Sequence, residues 1–466
     1  MADSPNVEVL TPLDLLMPKT YVQALLTFRT TESTTPILKS LQAGLDLTSK
    51  QVPWISGRIF QATSGLGGAP NLEVRWDVNE NGPKVVDMGT IAESYETLSA
   101  RGMLPEALPA GAWLVSGLPG EITETSGPRV LVAGLFRFGD NQGVGLCVGI
   151  HHNCVDGTGF AELVRLWVQN IPGSESLRLD PARGRLGRLS EALSSDSEAK
   201  NARSTESLLA SHPEYSTAPP TFPSSFPACT SKSFTIPMAR IQAHAQAVAG
   251  GDSQTPPTTN NVLCALLWSC ITRARLQGSE AVSPFASSRM AMAVNGRPRI
   301  GSEFSTTENP YLGNVVIYSL SQLTSGELRS EGSDKLAKVC NTIAISSAPS
   351  TVNSGYVAEV CELVSKAPDY RGIFVGWDLF QSRDLTITSW ANLDFYGMDF
   401  GEGLGKPEFI RFPYTEADGV CIILPRRRAA AGDASDEMIE VVVMLRMDNM
   451  AILEEDETWK SLVVRI

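Results

Sequence analysis

The sequence predicts an α/β protein, more closely α+β, built as two domains. Three observations lead there. The chain has 466 residues, well past the roughly 250–300 at which a single hydrophobic core stops growing. Runs that alternate between bulky apolar and small or polar residues are interspersed with runs of helical period, so strands and helices are mixed along the chain. The order of these elements in the second half roughly repeats the order in the first.

The elements follow in chain order. TPLDLLMPKTYVQALLTFR turns into a strand at 22–28, and ILKSLQAGLDLTSKQ (37–51) carries an amphipathic helix pattern. VPWISGRIF ends in a strand, and LEVRWDV (72–78) and RVLVAGLFRF (129–138) are further strands. GDNQG (139–143) is a hairpin turn. In GVGLCVGIHHNCVDGTGFAELVRLW, Val144, Leu146, Val148, Ile150 and His152 share one parity. Gly145, Cys147, Gly149 and His151 share the other. Period two places the two rows on opposite faces of a strand, which aims His152 inward from the strand end. Phe160, Leu163, Val164 and Trp167 then recur at helical spacing, with Thr158 expected as N-cap. The stretch therefore reads strand, tight turn, helix, and Gly157 and Gly159 allow a sharp bend with room beside it.

From about Pro172 to Ser233 the composition shifts to Ser, Pro and small polar residues, as in SSDSEAKNARSTES and YSTAPPTFPSSFPACTSK, which favour loops. We divide the chain into an N-terminal domain (1–175), a crossover with one or two surface helices (176–232) and a C-terminal domain (233–466). The second half opens with the strand SFTIP. PTTNNVLCALLWSCITRARL (257–276) is a strong helix capped near 258–260, with Val262, Leu266, Trp268 and Ile271 inside. SSRMAMAVNGRPR is a strand leading to a basic turn, and YLGNVVIYSL and DLTITSWANL are strands. GVCIILPRR and EMIEVVVMLR form a hairpin across a polar loop, and DETWKSLVV is a final helix.

Composition excludes several classes of function. The net charge is −13, with 42% hydrophobic and 19% charged residues. Such an acidic globular chain is a poor binder of nucleic acid or anionic membranes, and a polyanionic ligand would need a local basic patch. No apolar run is long enough to span a bilayer. The eight cysteines are scattered without a C-x-x-C pair, which reads as a cytoplasmic protein with reduced thiols. Cys154, inside the motif, reads as a packing residue rather than a nucleophile.

A neutral imidazole at the end of an apolar strand row can take a proton from a hydroxyl, the commonest general-base chemistry in proteins. Asp156, four residues on, either orients that base directly or braces the loop through an arginine. The bland alternative is a hydrogen-bonded core histidine. A metal site lacks a third ligand nearby, and no G-x-S-x-G elbow marks a serine hydrolase.

Several stretches line up with one family. HHNCVDG contains H-x-x-x-D-G at His152, Asp156 and Gly157. SWANLDFYGMDFGEGLGKP contains D-F-G-x-G at Asp399, Phe400, Gly401 and Gly403, followed by Gly405, Lys406 and Pro407. AVNGRPRI and YLGN, LDLLMPKTYV, VPWISGRI and LLWSCITRAR add to the match, which spans nearly the whole chain. The sequence resembles the BAHD acyltransferases, and within them the fungal branch of trichothecene and alkaloid O-acetyltransferases.

That resemblance implies two chloramphenicol-acetyltransferase-like domains, each a mixed sheet flanked by helices, with the active-site channel between them. His152 would be the general base, and Asp156 would turn away and pair with Arg297 or Arg299. Asp399, Phe400, Gly401 and Gly403 would be structural. The co-substrate would be an acyl-CoA, with acetyl-CoA preferred, and the acceptor a small lipophilic alcohol such as a terpenoid or alkaloid. A monomer with no permanent cofactor, no metal, no nucleic-acid partner and no membrane partner is expected. The phosphates of coenzyme A call for basic or hydroxyl groups, for which Arg289, Arg297, Arg299, Lys406, Thr258 and Thr259 are candidates. Asn314 or a backbone N–H is a candidate oxyanion donor. Glu402 departs from the tryptophan usual in plant members, and is expected to point away from the chemistry or to pair with a cation. Two rival readings remain: a peptide-synthetase condensation domain fed by carrier proteins, and a non-catalytic binding protein on the same scaffold.

Overall fold

The computed structural model describes residues 6–464, except 63–69, 78–81, 116–120, 172–183, 198–202, 251–255, 279–282 and 429–436. The first part of the expected crossover and the polar loop of the C-terminal hairpin therefore lie outside the described residues.

Two large sheets organise the molecule. The first has five strands in the order Phe409–Arg411, Tyr21–Arg29, Gly143–His151, Leu131–Arg137, Val85–Thr90. The motif strand Gly143–His151 lies at its centre, antiparallel to both neighbours, with Tyr21 opposite His151. The alternation along this strand has a packing cause on each face. Val144, Leu146, Val148 and Ile150 enter a core shared with Leu163, Val164 and Trp167 of the following helix, Gly157–Gln169. On the other face, a Cβ at Gly143 would lie 2.2 Å from the Tyr95 ring, and one at Gly145 would lie 2.3 Å from the Phe136 ring. The small row is small because aromatic rings cover it.

The second sheet has six strands in the order Val316–Thr324, Ser287–Asn295, Leu385–Ser389, Val420–Ile423, Met438–Arg446, Cys229–Pro237. Against it packs the helix Thr259–Gln277, buried continuously from Val262 to Arg275. A helix that is apolar all round belongs inside a core. Most of its large polar side chains are paired there: Trp268 Nε1 donates to Ser288 Oγ at 2.9 Å, Arg273 pairs with Asp456 at 2.8 Å and Arg275 with Asp418 at 3.0 Å.

The expected strand in YLGNVVIYSL starts only at Val316. Tyr311, Gly313, Asn314 and Val315 are held out of the sheet by hydrogen bonds to side chains around the motif turn. The helices Met238–Ala249, Ser333–Ser347 and Ser354–Lys366 have no counterpart in the sequence reading. Strand Phe409–Arg411, from the second half of the chain, joins the edge of the first sheet beside Tyr21–Arg29. Trp390, Phe395, Phe400 and Phe412 likewise enter the first core. No helix of the described residues is long and apolar enough to cross a membrane.

Candidate active site

His152 follows directly on the motif strand. Its backbone N–H donates to the Thr20 carbonyl at 2.7 Å, and its own carbonyl accepts from Asn314 Nδ2 at 2.9 Å. The main chain is thus gripped on both sides of the residue. The ring contacts the Val155 carbonyl through Nδ1 at 3.1 Å. A carbonyl can only accept, so Nδ1 carries the hydrogen and Nε2 keeps its lone pair. Burial holds the imidazole pKa below the ordinary histidine value, which keeps the ring neutral at pH 7. A neutral ring with a fixed tautomer can accept a proton at Nε2.

Asp156 spends its hydrogen bonds elsewhere than on that ring. It caps the motif helix, its Oδ1 accepting from Gly159 N at 2.9 Å. Asp156, and not the expected Thr158, is the N-cap: the turn brings the charged carboxylate into range of the free N–H, and a carboxylate is the stronger acceptor. Its Oδ2 accepts from Arg297 Nη1 at 2.9 Å and Val315 N at 2.8 Å. Arg297 is fully engaged: Nε donates to the Tyr311 carbonyl at 2.8 Å, Nη2 to the Gly313 carbonyl at 2.6 Å and Nη1 also to Asn295 Oδ1 at 3.2 Å. Both side chains are buried, at 3% and 4% exposure. Arg299 instead donates to the Ser347 carbonyl at 3.0 Å.

The motif glycines are explained by the second half of the chain pressing on them. A Cβ at Gly157 would lie 2.9 Å from the Trp390 indole, and one at Gly159 only 2.1 Å from the Leu312 carbonyl oxygen. His151 is fully buried with its ring edge-on to Tyr21 at 5.3 Å, and burial pushes its pKa down to about 3. Cys154 is also fully buried, and burial drives its thiol pKa far up, so it stays protonated and unreactive.

A second buried carboxylate, unmarked in the sequence reading, stands behind the turn. Asp14 has no exposed surface. Its Oδ1 accepts from both Asn314 N at 2.9 Å and Asn314 Nδ2 at 2.8 Å, and its Oδ2 accepts from Thr11 N at 2.9 Å and Thr11 Oγ1 at 2.8 Å. Asn153 Nδ2 donates to the Asp14 and Met17 carbonyls at 2.7 and 2.9 Å. Both hydrogens of the Asn314 amide are therefore committed, to Asp14 and to the His152 carbonyl, and none is left for an oxyanion.

The D-F-G-x-G segment folds into a tight loop. Gly401 (φ +87) and Gly405 (φ +64) take left-handed conformations that suit glycine. Gly405 N donates to the Gly401 carbonyl at 2.7 Å, and Asp399 Oδ1 accepts from Gly401 N at 3.0 Å. Phe400 is buried edge-on against Phe28 at 5.0 Å, and Thr30 Oγ1 donates to the Gly403 carbonyl at 3.0 Å. The loop anchors the second half of the chain onto the first sheet. Glu402 and Lys406 are both exposed there. Glu402 lines a separate cleft with Glu32, Ile37 and Ile171.

A cleft of about 870 Å³ begins at Thr158 and runs past the N-terminus of the helix Thr259–Gln277. Thr258, Thr259 and Arg299 stand on its wall, joined by Arg426, which the sequence reading did not single out. Among the described residues its wall carries these two arginines and no carboxylate, in a chain of net charge −13. Thr258 also caps the helix, accepting from Asn261 N at 3.2 Å. Arg289 lies elsewhere, its guanidinium on the Gly376 carbonyl. Among the described residues no group of three or more His, Cys, Asp or Glu could hold a metal.

The trichothecene 8-O-acetyltransferase of Fusarium sporotrichioides is 26% identical over 96% of this chain and 96% of its own. The eremophilane O-acetyltransferase of Penicillium rubens is 25% identical over 95% of each chain. The crystal structure of F. sporotrichioides TRI101 complexed with coenzyme A and T-2 superposes with a TM-score of 0.78 at 19% identity, covering 98% of this chain and 99% of that one. A model of the transferase family matches residues 8–459. The chain belongs to that family, the BAHD acyltransferases.

Proposed function

We propose that this acyltransferase moves an acetyl group from acetyl-CoA to a hydroxyl of a small lipophilic secondary metabolite, with His152 as general base. The observation that carries the reading is the His152 ring: neutral and tied through Nδ1 to the Val155 carbonyl, which leaves the lone pair on Nε2. In this reading Nε2 takes the proton of the acceptor hydroxyl as its oxygen bonds to the thioester carbonyl carbon. The tetrahedral adduct collapses with cleavage of the C–S bond, and the imidazolium returns the proton to the departing thiolate. Products are the acetyl ester and free coenzyme A, with no covalent enzyme intermediate.

The cleft, which carries no carboxylate among the described residues, supports coenzyme A binding. Arg299 and the N-terminus of a 19-residue helix offer positive potential to phosphates, and Arg426, whose Nε lies 3.3 Å from Glu437 Oε1, adds guanidinium N–H donors on the wall. The similarity to fungal terpenoid acetyltransferases supports the acetyl donor and a lipophilic acceptor. We assign Asp156 and Arg297 to holding the turn that aims the base, Gly157 to the close approach of Trp390, and Asp399, Phe400, Gly401 and Gly403 to anchoring the two halves. Purified protein incubated with acetyl-CoA and a fungal small-molecule extract, read by mass spectrometry, tests the reading. A metabolite gaining one acetyl mass is expected. No acetylated product, with free thiol released only from carrier-protein thioesters, would overturn it.

A further inference from the structure

We infer that Asp14 is a positioning residue for the reaction: a carboxylate near the N-terminus that aims the His152 ring through Asn314. The inference rests on His152 being the base. One oxygen of Asp14 takes both the backbone and the side-chain N–H of Asn314. That fixes the amide so that its other hydrogen meets the His152 carbonyl at 2.9 Å. The Asp14 carbonyl also holds the Asn153 side chain, the next residue along. The turn is therefore gripped from behind by one buried residue that touches neither the ring nor the site of reaction.

No neutral side chain replaces this carboxylate. Its four acceptor contacts come from Thr11 N, Thr11 Oγ1, Asn314 N and Asn314 Nδ2. In Asp14→Asn the new NH₂ must face a backbone N–H, of Thr11 or of Asn314, whichever way the amide turns. Either way one set of bonds breaks, and the His152 carbonyl loses its fixed donor. A displacement of about 1 Å at the base costs on the order of 100-fold in rate. Arg185, with Nη1 3.5 Å from Asp14 Oδ2, supplies the countercharge but does not set the direction of the amide.

The test compares Asp14→Asn with Thr48→Val, a buried change away from the turn that removes the bonds of Thr48 Oγ1 to the Gly44 carbonyl and from Asn170 Nδ2. Three quantities are measured: kcat and KM for acetyl-CoA, Tm, and the ¹⁵N spectrum of the histidine rings at pH 7. Asp14→Asn should lose roughly 30- to 300-fold in kcat with KM for acetyl-CoA within about twofold. The His152 Nδ1–H tautomer should give way to a mixture. Thr48→Val should keep its kcat even where it lowers Tm. A folded Asp14→Asn with unchanged kcat and tautomer would overturn the inference, as would a loss of kcat that merely follows Tm in both variants. If Asp14→Asn fails to fold, Asn314→Ala replaces it, with the same expected split and the same refuting results. Undiminished activity in His152→Ala would sink the base assignment itself. A dead His152→Ala beside a fully active Asp14→Asn would sink only the role of Asp14.

Discussion

Removing the guanidinium of Arg297 should unfold the site from the inside. Three of its four hydrogen bonds go to buried partners, Asp156 Oδ2 and the carbonyls of Tyr311 and Gly313, and the fourth goes to Oδ1 of exposed Asn295. In Arg297→Met, Asp156 keeps Val315 N and Gly159 N as donors but loses its countercharge. Breaking a buried pair from one side costs about 3–5 kcal/mol. Asp156→Asn keeps the shape but strands the buried Arg297 charge and turns an NH2 toward the N–H of Gly159 or Val315, so a similar cost of about 3–5 kcal/mol is expected. The double variant has no charge left to strand. It should be less damaged than the sum of the singles by about 1–3 kcal/mol, the coupling typical of residues in contact. Denaturant unfolding of all four proteins, followed by tryptophan fluorescence, measures this. Additivity within about 0.5 kcal/mol would mean that the pair does not hold the turn, and the reasoning would fail.

Three further outcomes are expected. Gly159→Ala puts a Cβ 2.1 Å from the Leu312 carbonyl; the backbone must move, so Tm should fall and kcat drop at least tenfold, while Gly187→Ala, in open space, should do neither. Arg299→Ala and Arg426→Ala should raise KM for acetyl-CoA several-fold with little change in kcat, and Lys406→Ala should leave both unchanged; equal effects from all three would remove the cleft from the account. His151 titrates near 6.5 when unfolded and at about 3 when folded, so the unfolded state binds more protons between these values. Stability should therefore fall as pH drops from about 6.5 to 3, by up to about 5 kcal/mol from this residue. His151→Phe should flatten that part of the stability curve, and an unchanged acid slope would refute the assignment.

The parts of this site legible in the sequence are those with a local code. Period-two alternation separated His152 from His151, and the turn chemistry of Asp156 and Gly157 announced strand, turn, helix before any fold was known. The resemblance supplied the pairing of the two halves. What stayed hidden depends on distant partners. Asp14 looks like an ordinary capping residue in TPLD, because Asn314 is 300 positions away. Arg426 is one of three consecutive arginines, and only the fold decides which faces the cleft. Arg297 and Arg299 flank one proline, and a short helical turn separates them, one to Asp156 and the other to Ser347. The helices Ser325–Arg329 and Ser333–Ser347 carry mixed small and polar residues whose apolar stripe has meaning only against the helix Thr259–Gln277, and Ser354–Lys366 packs instead on Arg185–Ser197 and Pro12–Leu15.

The central claim is that His152 Nε2 accepts the proton of the acceptor. Single-turnover acetyl transfer by His152→Ala, beside wild type and on an acceptor found by mass spectrometry, addresses it most directly. Loss of a positioned general base should lower the rate by about 100- to 10,000-fold, with the binding of acetyl-CoA and Tm unchanged. A folded His152→Ala that transfers acetyl within tenfold of wild type would contradict the account.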